Sequence, residues 1–370
     1  MSWWRPGQSL VAVDWGTTAL RAVQLGFGQG QAGVIHWLNV EPPLGGPSQP
    51  AASSDHAAPS RSGLATGLEQ FDCRRGGLVA GTSEVEYCLL NVPEAVWSRG
   101  PDELVEAIRW EVGRQLSRPV EDAELGAWPL PGPMASGANT VAVAAPRTRI
   151  VEAVESLAQG RLECEWVEPA ALALIRACRA TAPGGPGEIW GVLDLGYSTC
   201  RLYLAVESTP VFARHVRGSG HAWTELIARE LRIEYGLAEH YKRKCGIESG
   251  PRGARSLAGT AACLDETALP GVLSAVLRGP LTDLVADVEK AFCFVMEQYP
   301  RRQAGGLVLV GGGSRMPGLP DFITGSLGVR TIQAGAQRVL DVPASHPMSR
   351  PDIFSVMAGC VGLAFGEHRS

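Results

Sequence analysis

Two short segments of the sequence combine an acidic residue, a glycine and hydroxyl side chains in the same order. The first runs through Asp14, Gly16, Thr17 and Thr18, directly after an apolar stretch. A tight turn at the glycine lets backbone N–H groups approach phosphate oxygens, and the threonines add hydroxyl donors. A buried carboxylate needs compensation, and hydrated Mg²⁺ provides it because Mg²⁺ binds few carboxylates and keeps several waters. The segment therefore predicts a site for a phosphate chain and Mg²⁺.

The second segment repeats the first one later in the chain. The acid, the glycine and an arginine keep the same spacing in both copies, as Asp14, Gly16 and Arg21 and as Asp194, Gly196 and Arg201. Agreement of residue type, order and context favours an internal duplication. One such turn is a weak signal, whereas two turns that face each other would hold a nucleotide's phosphates between two domains. We therefore predict that both aspartates bind Mg²⁺ through water.

A glycine-rich run follows a third apolar stretch. It consists of Gly311, Gly312, Gly313 and Ser314, and a helix is expected after Pro317. Three glycines let a flat base or a ribose lie against the backbone near the start of a helix. A flexible turn between a strand and a helix is the alternative interpretation. The spacing fits neither the Rossmann fingerprint nor the P-loop, which disfavours both of those nucleotide-binding folds.

An acidic and a basic residue are spaced to lie together on one helix. Glu239 and Lys242 are separated by one helical turn, so both side chains lie on the same face. They are predicted to bracket a ribose or an adenine. A solvated, charged helix face is the alternative interpretation of the same spacing.

The elements that must position these residues alternate between strands and helices. Apolar runs predict strands at 140–145, 188–193 and 306–310. Helical spacing predicts a helix that begins at Pro101 and ends before Pro119, with further helices at 168–178, 221–231, 237–245, 281–298 and 353–365. The alternation indicates an α/β fold.

Composition sets the class of protein. The chain has 370 residues, is 45% hydrophobic and carries a net charge of −5. This predicts two domains and disfavours nucleic acid as a partner, since phosphate backbones require clustered Lys and Arg. We find no signal peptide, no apolar run of about 18–20 residues and no metal-ligand spacing, and the scattered cysteines are typical of a cytoplasmic protein. A stretch rich in Pro, Ala and Ser, at about 42–70, predicts a disordered loop.

With these motifs in order, the chain resembles the actin/Hsp70 superfamily. Residues 14–21 and 194–199 are similar to its two phosphate motifs, which adds Ser198 and Thr199 to the predicted site. Residues 311–314 are similar to its adenosine motif. The resemblance also implies that Glu168, at the start of a connecting helix, lies near the metal and the attacking water. Asp14, Glu168 and Asp194 are accordingly the predicted catalytic residues.

Within this superfamily the chain is most similar to the PilM family. The similarity rests on the helix at 103–116, on the A-E-x-x-K-R pattern at 238–243 and on the G-G-G-S-x-x-x-G-L run at 311–319. It implies a duplicated, actin-like (ribonuclease H-like) fold with two domains around a nucleotide cleft. Domain I is expected at 1–185 plus 346–370, with a small α+β insert at about 78–150. Domain II is expected at 186–345, with its outer subdomain at about 218–300.

The resemblance implies a cytoplasmic protein that binds ATP and Mg²⁺ and acts in assembly of a type IV pilus or a related secretion machine. Its partner would be the cytoplasmic tail of a PilN-like inner-membrane protein, held by residues near 87–92 and 108–112. The resemblance also implies self-association and no direct membrane insertion. It implies at most a weak ATPase activity. The bulky Trp15 and Tyr197 favour an alternative, a scaffold that binds no nucleotide. A small-molecule kinase of the same superfamily is a weaker alternative, because its motifs are absent from the sequence.

Overall fold

The computed structural model of the chain describes residues 7–28, 32–41, 67–68, 70–81, 85–248 and 268–367. The predicted disordered loop at about 42–70 lies almost entirely outside the described residues. The strands are Val11–Trp15 (β1), Leu20–Phe27 (β2), Ala32–Val40 (β3), Arg75–Ala80 (β4), Glu86–Leu90 (β5), Ala123–Pro129 (β6), Thr140–Pro146 (β7), Glu163–Pro169 (β8), Ile189–Leu195 (β9), Cys200–Val206 (β10), Thr209–Val216 (β11), Ala304–Val310 (β12) and Thr331–Gln333 (β13). The α-helices are Glu94–Trp97 (α1), Pro101–Gly113 (α2), Arg147–Gln159 (α3), Ala170–Cys178 (α4), Gly220–Leu231 (α5), Tyr235–Lys244 (α6), Leu269–Gln298 (α7), Leu319–Leu327 (α8) and Pro351–Glu367 (α9).

Two five-stranded sheets share one topology. The first has the order β3-β2-β1-β4-β8, and the second has the order β11-β10-β9-β12-β13. In each sheet the first three strands in sequence pair antiparallel, and the remaining two continue the sheet in parallel. Strand for strand, the second sheet repeats the first, so the duplication predicted from the two aspartate segments is confirmed.

A third sheet and two helices form a small α+β unit between the strands of the first sheet. Its three strands have the order β5-β7-β6. Helix α2 lays Leu104, Ile108 and Val112 onto this sheet, where all three are buried. The helical spacing of these residues is therefore explained by packing. The predicted insert at about 78–150 contains this unit, whereas β4 belongs to the first five-stranded sheet as far as Ala80. The domain boundaries stay predictions.

The long helix α7 covers one face of the second sheet. Leu277, Leu281 and Leu284 on this helix are buried against the sheet. Among the described residues α7 is the one helix whose length and composition would allow it to cross a membrane. Half of its most apolar stretch is buried inside the fold, as in the core helix of a globular protein.

Helices α4 and α9 pack against each other between the two sheets. Gly362 on α9 permits this approach, because a Cβ there would overlap the carbonyl oxygen of Ala173. Apolar residues of both helices and of both sheets form one buried cluster, which includes Val192, Val308 and Phe354. The prediction that the C-terminal helix packs back onto the first half is therefore confirmed.

The start of α4 differs from the prediction. The sequence predicted a helix from Glu168, whereas Glu168 ends strand β8 and the helix begins at Ala170. The cause is Pro169, because a proline disfavours the helical conformation in the residue before it. Pro169 itself has an extended backbone and stands directly before the first helical residue.

Candidate functional site

The two aspartate segments form matching hairpins. In the first, the N–H of Gly16 donates to the carbonyl oxygen of Ala19 over 2.9 Å, and in the second the N–H of Gly196 donates to that of Thr199 over 3.0 Å. The register is also the same, since Asp14 lies opposite Arg21 and Asp194 lies opposite Arg201. The hydroxyl residues lie in or beside these turns, partly exposed, at Thr17, Thr18, Ser198 and Thr199. Each hairpin therefore presents a carboxylate, backbone donors and hydroxyls at the corresponding position of its sheet, where β1 or β9 ends.

The two carboxylates interact with each other. Burial and then the charge of Asp14 raise the pKa of Asp194 to about 6. Burial also raises the pKa of Asp14, although the Arg21 guanidinium, 3.4 Å from its carboxylate, opposes the shift. The side chain of Asp14 keeps 22% of its surface exposed, so it lines a cleft that solvent reaches. Two repelling carboxylates in such a cleft are suited to a divalent cation.

Helix α9 connects the two aspartates. The carbonyl oxygen of Ser355 accepts a hydrogen bond from the N–H of Gly311 over 3.0 Å, and a Cβ at Gly311 would lie 2.5 Å from the carboxylate of Asp194. One turn further along the helix, Gly359 lies against the carboxylate of Asp14. Gly311 also has φ +80°, a conformation that favours glycine. The glycine-rich run therefore meets both hairpins at one place.

The rest of the glycine-rich run lies beside the second hairpin. Gly313 and Ser314 are buried, and a Cβ at Gly313 would lie 2.9 Å from that of Leu195. The Ser314 hydroxyl donates to the carbonyl oxygen of Gly311 over 2.7 Å, which stabilises the turn. Nothing lies within 4 Å of a Cβ built at Gly312. This glycine therefore offers an open backbone surface against which a flat group can lie.

Glu239 and Lys242 form a buried ion pair, with a separation of 2.6 Å. The Lys242 ammonium also donates to the carbonyl oxygen of Gly220 over 2.8 Å. The N–H of Gly220 in turn donates to the carbonyl oxygen of Gly196, so the pair supports the second hairpin from below. Burial opposes the ionisation of Glu239, but Lys242 and Thr224 hold its pKa below the usual value. The burial of Lys242 excludes the alternative of a solvated, charged face.

Glu168 forms a buried salt bridge with Arg176. Arg176 binds both of its carboxylate oxygens, over 2.6 and 2.7 Å, and also donates to the carbonyl oxygen of Gly362 over 2.8 Å. The Glu168 side chain is only 4% exposed. This salt bridge engages both carboxylate oxygens of Glu168. Nothing in the geometry tests the catalytic role of Glu168, which stays a prediction.

Sequence reasoning missed a cavity at the edge of the cleft. It has a volume of about 570 Å³ and is lined by Asn39, Glu41, Arg243, Arg315, Asp352 and Ile353. Glu41 follows β3 of the first sheet, yet it pairs with Arg315 over 2.9 Å and with Arg243 over 3.6 Å. Burial of the Glu41 carboxyl opposes ionisation, but Arg315 keeps its pKa below the usual value. Both arginines directly follow predicted site residues, and that proximity in sequence was the available signal.

The two bulky residues of the hairpins, Tyr197 and Trp15, pack against different elements. The Tyr197 ring lies 4.9 Å from the ring of His221, and 37% of the residue surface is exposed. Its backbone oxygen accepts a hydrogen bond from the N–H of His221 over 2.9 Å. Tyr197 is thus packed on the start of α5, at the side of the hairpin. Trp15 is partly buried in the first sheet, against its hydrophobic cluster.

The residues predicted to hold a partner's tail are divided between core and surface. Ile108 and Val112 are buried in the insert, and the Tyr87 ring packs on that of Tyr203 with centroids 6.4 Å apart. Trp110, in contrast, is 67% exposed and lies under the guanidinium of Arg114 at 4.9 Å. Of the helix face at 108–112, Trp110 is thus the large apolar side chain available to a partner.

The cleft has the features that a Mg-nucleotide requires. Two carboxylates interact there, backbone donors flank them, and position 311 requires glycine because a Cβ would meet the Asp194 carboxylate. Within the described ranges, no group of three or more His, Cys, Asp or Glu side chains converges to bind a metal ion directly. Two carboxylates acting through water match the coordination that Mg²⁺ prefers, since Mg²⁺ retains several waters.

Comparison with known proteins identifies the fold. No protein-family model and no curated protein matches the chain. A solved structure described as "PilM-PilN type IV pilus biogenesis complex" matches with a TM-score of 0.72 and 21% identity, covering 98% of this chain and 99% of that one. MreB 5 of Spiroplasma citri bound to AMPPNP matches with a TM-score of 0.52 and 13% identity, over 99% and 97% of the two chains. The ethanolamine utilization protein EutJ from Carboxydothermus hydrogenoformans matches with a TM-score of 0.50 and 13% identity, covering 98% of this chain and 91% of that one. The chain therefore has the actin-like ATPase fold, and its structure is PilM-like over nearly its whole length.

Proposed function

We propose that the chain is an actin-like, nucleotide-binding assembly factor of a type IV pilus or related secretion machine. In this proposal it binds the cytoplasmic tail of a PilN-like membrane protein and is thereby held at the inner membrane. The nucleotide part rests on the approach of Asp14 and Asp194 from two duplicated hairpins to one segment of α9, where Gly359 lies against Asp14 and Ser355 bonds to Gly311 beside Asp194. The partner part rests on the likeness to a chain of the PilM-PilN complex.

The nucleotide would bind with its phosphates between the two hairpins. Asp14 and Asp194 would hold Mg²⁺ through water, and the turn N–H groups and hydroxyls would bind phosphate oxygens. The base and ribose would lie along Gly312, near the cavity that Arg243 and Arg315 line. Glu239 and Lys242 would act by supporting the second hairpin, because their charges already pair with each other.

Binding is tested by thermal unfolding with and without MgATP. A ligand present at a thousandfold excess over its dissociation constant stabilises the folded state by about 4 kcal/mol. Asp14→Asn and Asp194→Asn are expected to lose most of this shift. Asp72→Asn, at an exposed position, is the matched control and should keep it. Equal shifts in all four proteins, or none in the wild type, would refute nucleotide binding at this cleft.

Partner binding is tested with a synthetic peptide that corresponds to the cytoplasmic tail of a PilN-like protein. Trp110 is the candidate anchor, because large exposed aromatic residues dominate binding energies at interfaces. Trp110→Ala should weaken capture of the peptide by about tenfold or more. Val151→Ala removes another exposed apolar side chain and should leave capture unchanged. A peptide that binds Trp110→Ala as tightly as the wild type would exclude this face.

One observation favours binding without turnover. Both oxygens of Glu168 are engaged by Arg176, which leaves this predicted catalytic carboxylate unavailable to accept a proton from the attacking water. We therefore propose that nucleotide state regulates the shape of the cleft and that hydrolysis is slow or absent. Glu168→Gln should then leave any phosphate release unchanged, whereas a Glu168-dependent ATPase would lose about 10²-fold or more in rate.

A further inference from the structure

The cavity at the edge of the cleft is lined by side chains of both charges. Its volume of about 570 Å³ is typical of a small-molecule site. Glu41 and Asp352 supply carboxylates to its wall, and Arg243 and Arg315 supply guanidinium groups. Arg315 also ends the short 3-10 helix that begins at Gly312. The cavity therefore adjoins the glycine along which the proposed function places the base.

Glu41 presents a carboxylate that can accept a further hydrogen bond. One of its oxygens accepts from the Asn39 amide over 3.1 Å. The other accepts from Arg315 over 2.9 Å and lies 3.6 Å from Arg243. A carboxylate oxygen has two lone pairs, so the oxygen beside Asn39 has capacity for one more donor. Because 25% of the Glu41 side chain is exposed, a ligand in the cavity can reach it.

The wall combines an acceptor and a donor side by side. Burial opposes ionisation of Glu41, but Arg315 keeps its pKa below the usual value, so Glu41 is an acceptor only. Arg315 is half-buried beside it and has donors only. The Asp352 carboxylate is engaged outside this pair, since Arg350 binds it over 2.7 Å. A base that fits must therefore place a donor on Glu41 and a neighbouring acceptor on Arg315.

Guanine meets this requirement and adenine does not. Guanine has N–H donors at N1 and N2, and its acceptors O6 and N7 continue along the same side of the ring. O6 adjoins N1 on the base as Arg315 adjoins Glu41 in the cavity. Adenine has an acceptor at N1 and a donor at N6, so its N1 lone pair would face the carboxylate. Arginine bound to O6 and N7 is also the commonest specific contact with guanine in nucleic-acid recognition.

We propose that the cleft selects guanine nucleotides over adenine nucleotides and that Glu41 is the specificity-determining residue. Glu41 accepts from N1 and N2 of the base, and Arg315 donates to O6. This inference rests on the proposed function, because it names the base of the nucleotide whose phosphates lie between the two hairpins. Adenine nucleotides bind the same cleft more weakly, since the phosphate contacts do not depend on the base.

The test compares three nucleotides on the full chain by calorimetric titration, with thermal unfolding as a second measure. MgGTP and MgATP differ along the whole edge of the base, whereas MgITP keeps N1–H and O6 and lacks only the 2-amino group. Glu41→Gln removes the charge and keeps the size of the side chain. Glu230→Gln is the matched control, because it removes an exposed carboxylate that pairs with Arg229.

The wild type should bind MgGTP about ten- to hundredfold more tightly than MgATP, with MgITP between them. Glu41→Gln should lose most of this preference through weaker binding of MgGTP, and Glu230→Gln should keep it. Should Glu41→Gln fail to fold, the order of the three nucleotides on the wild type decides the result.

Wild-type protein that binds MgATP as tightly as MgGTP, or more tightly, overturns this inference and leaves the proposed nucleotide site standing. A preference for MgGTP that persists in Glu41→Gln overturns the role of Glu41. Wild-type protein that binds none of the three nucleotides refutes the proposed function, and the base selection fails with it.

Discussion

Asp14 and Asp194 belong to different sheets, yet the negative charge of Asp14 acts together with burial to raise the pKa of Asp194 to about 6. The pair is connected by α9, where Ser355 bonds to Gly311 beside one aspartate and Gly359 lies against the other. Two carboxylates that repel each other destabilise the ligand-free protein. A cation that binds both carboxylates removes this repulsion, and the relief of repulsion strengthens cation binding.

The raised pKa of Asp194 predicts how stability depends on pH. The usual value is 3.8 and the folded value is about 6, so the folded protein binds this proton more tightly than the unfolded chain. The resulting stabilisation is complete below about pH 4 and is lost as the pH rises through about 6. Asp194→Asn should therefore stabilise the ligand-free protein at pH 7.5 by about 1–3 kcal/mol.

The measurement is denaturant unfolding of wild type and Asp194→Asn between pH 5 and pH 8, at about one pH unit per step. The gain from the substitution should shrink towards the acid end, where Asp194 is already neutral. With MgATP at pH 7.5, the wild type should instead be more stable than Asp194→Asn, because the ligand requires the ionised carboxylate. A gain that does not vary with pH would show that Asp194 is ionised throughout.

Much of the architecture could be predicted from spacing. The equal separation of Asp14 from Arg21 and of Asp194 from Arg201 predicted two equivalent hairpins, and the two hairpins have the same register. The apolar spacing through Ile108 predicted helix α2 and its buried face. These features follow from local rules, since a period of 3.6 residues or a turn at glycine is encoded within a few positions.

The rest depends on contacts between distant parts of the chain. Nothing in the sequence around Glu41 predicts its pairing with Arg315, because the two residues meet only when the first sheet docks on the second. The start of α4 could have been predicted, since Pro169 directly follows Glu168 and restricts its backbone.

Gly311 should be one of the least replaceable residues of the site. Alanine there would require an unfavourable φ of +80° and would place its Cβ 2.5 Å from the carboxylate of Asp194. We expect Gly311→Ala to lower the free energy of unfolding by about 2–4 kcal/mol. Gly312→Ala is the control, because nothing lies within 4 Å of its Cβ. Thermal unfolding of both variants measures the difference, and equal losses would contradict the geometry of this turn.

Gly312→Ala also separates binding from stability. If the base or ribose lies along this glycine, the added methyl group should weaken MgATP binding while leaving the unfolding temperature of the free protein nearly unchanged. Calorimetric titration measures the first quantity and thermal unfolding the second. Unchanged nucleotide affinity would place the base elsewhere in the cleft.

Glu41 should stabilise the contact between the two halves of the chain through its ion pairs. Its carboxylate joins the first sheet to Arg315 and Arg243 of the second half, and Arg315 also donates to the carbonyl oxygen of Asp352 over 2.9 Å. Glu41→Gln should lower the free energy of unfolding by about 1–2 kcal/mol and speed hydrogen exchange in the segment 312–315. Glu230→Gln, which removes an exposed partner of Arg229, should change stability by less than about 0.5 kcal/mol. Unchanged exchange at 312–315 would show that Glu41 does not hold the cleft.

Helix α2 predicts opposite outcomes for two neighbouring faces. Ile108 is 2% exposed in the insert core, so Ile108→Ala should lower the free energy of unfolding by about 2–5 kcal/mol. Trp110 is 67% exposed and lies under the Arg114 guanidinium at 4.9 Å, so Trp110→Ala should lower the free energy of unfolding by less than about 1 kcal/mol. Denaturant unfolding compares the two variants, and peptide capture is measured at a temperature where both are folded. Loss of capture in Trp110→Ala at wild-type stability identifies a binding surface. A large loss of stability in Trp110→Ala would instead make Trp110 part of the core and remove it as the anchor for a partner's tail.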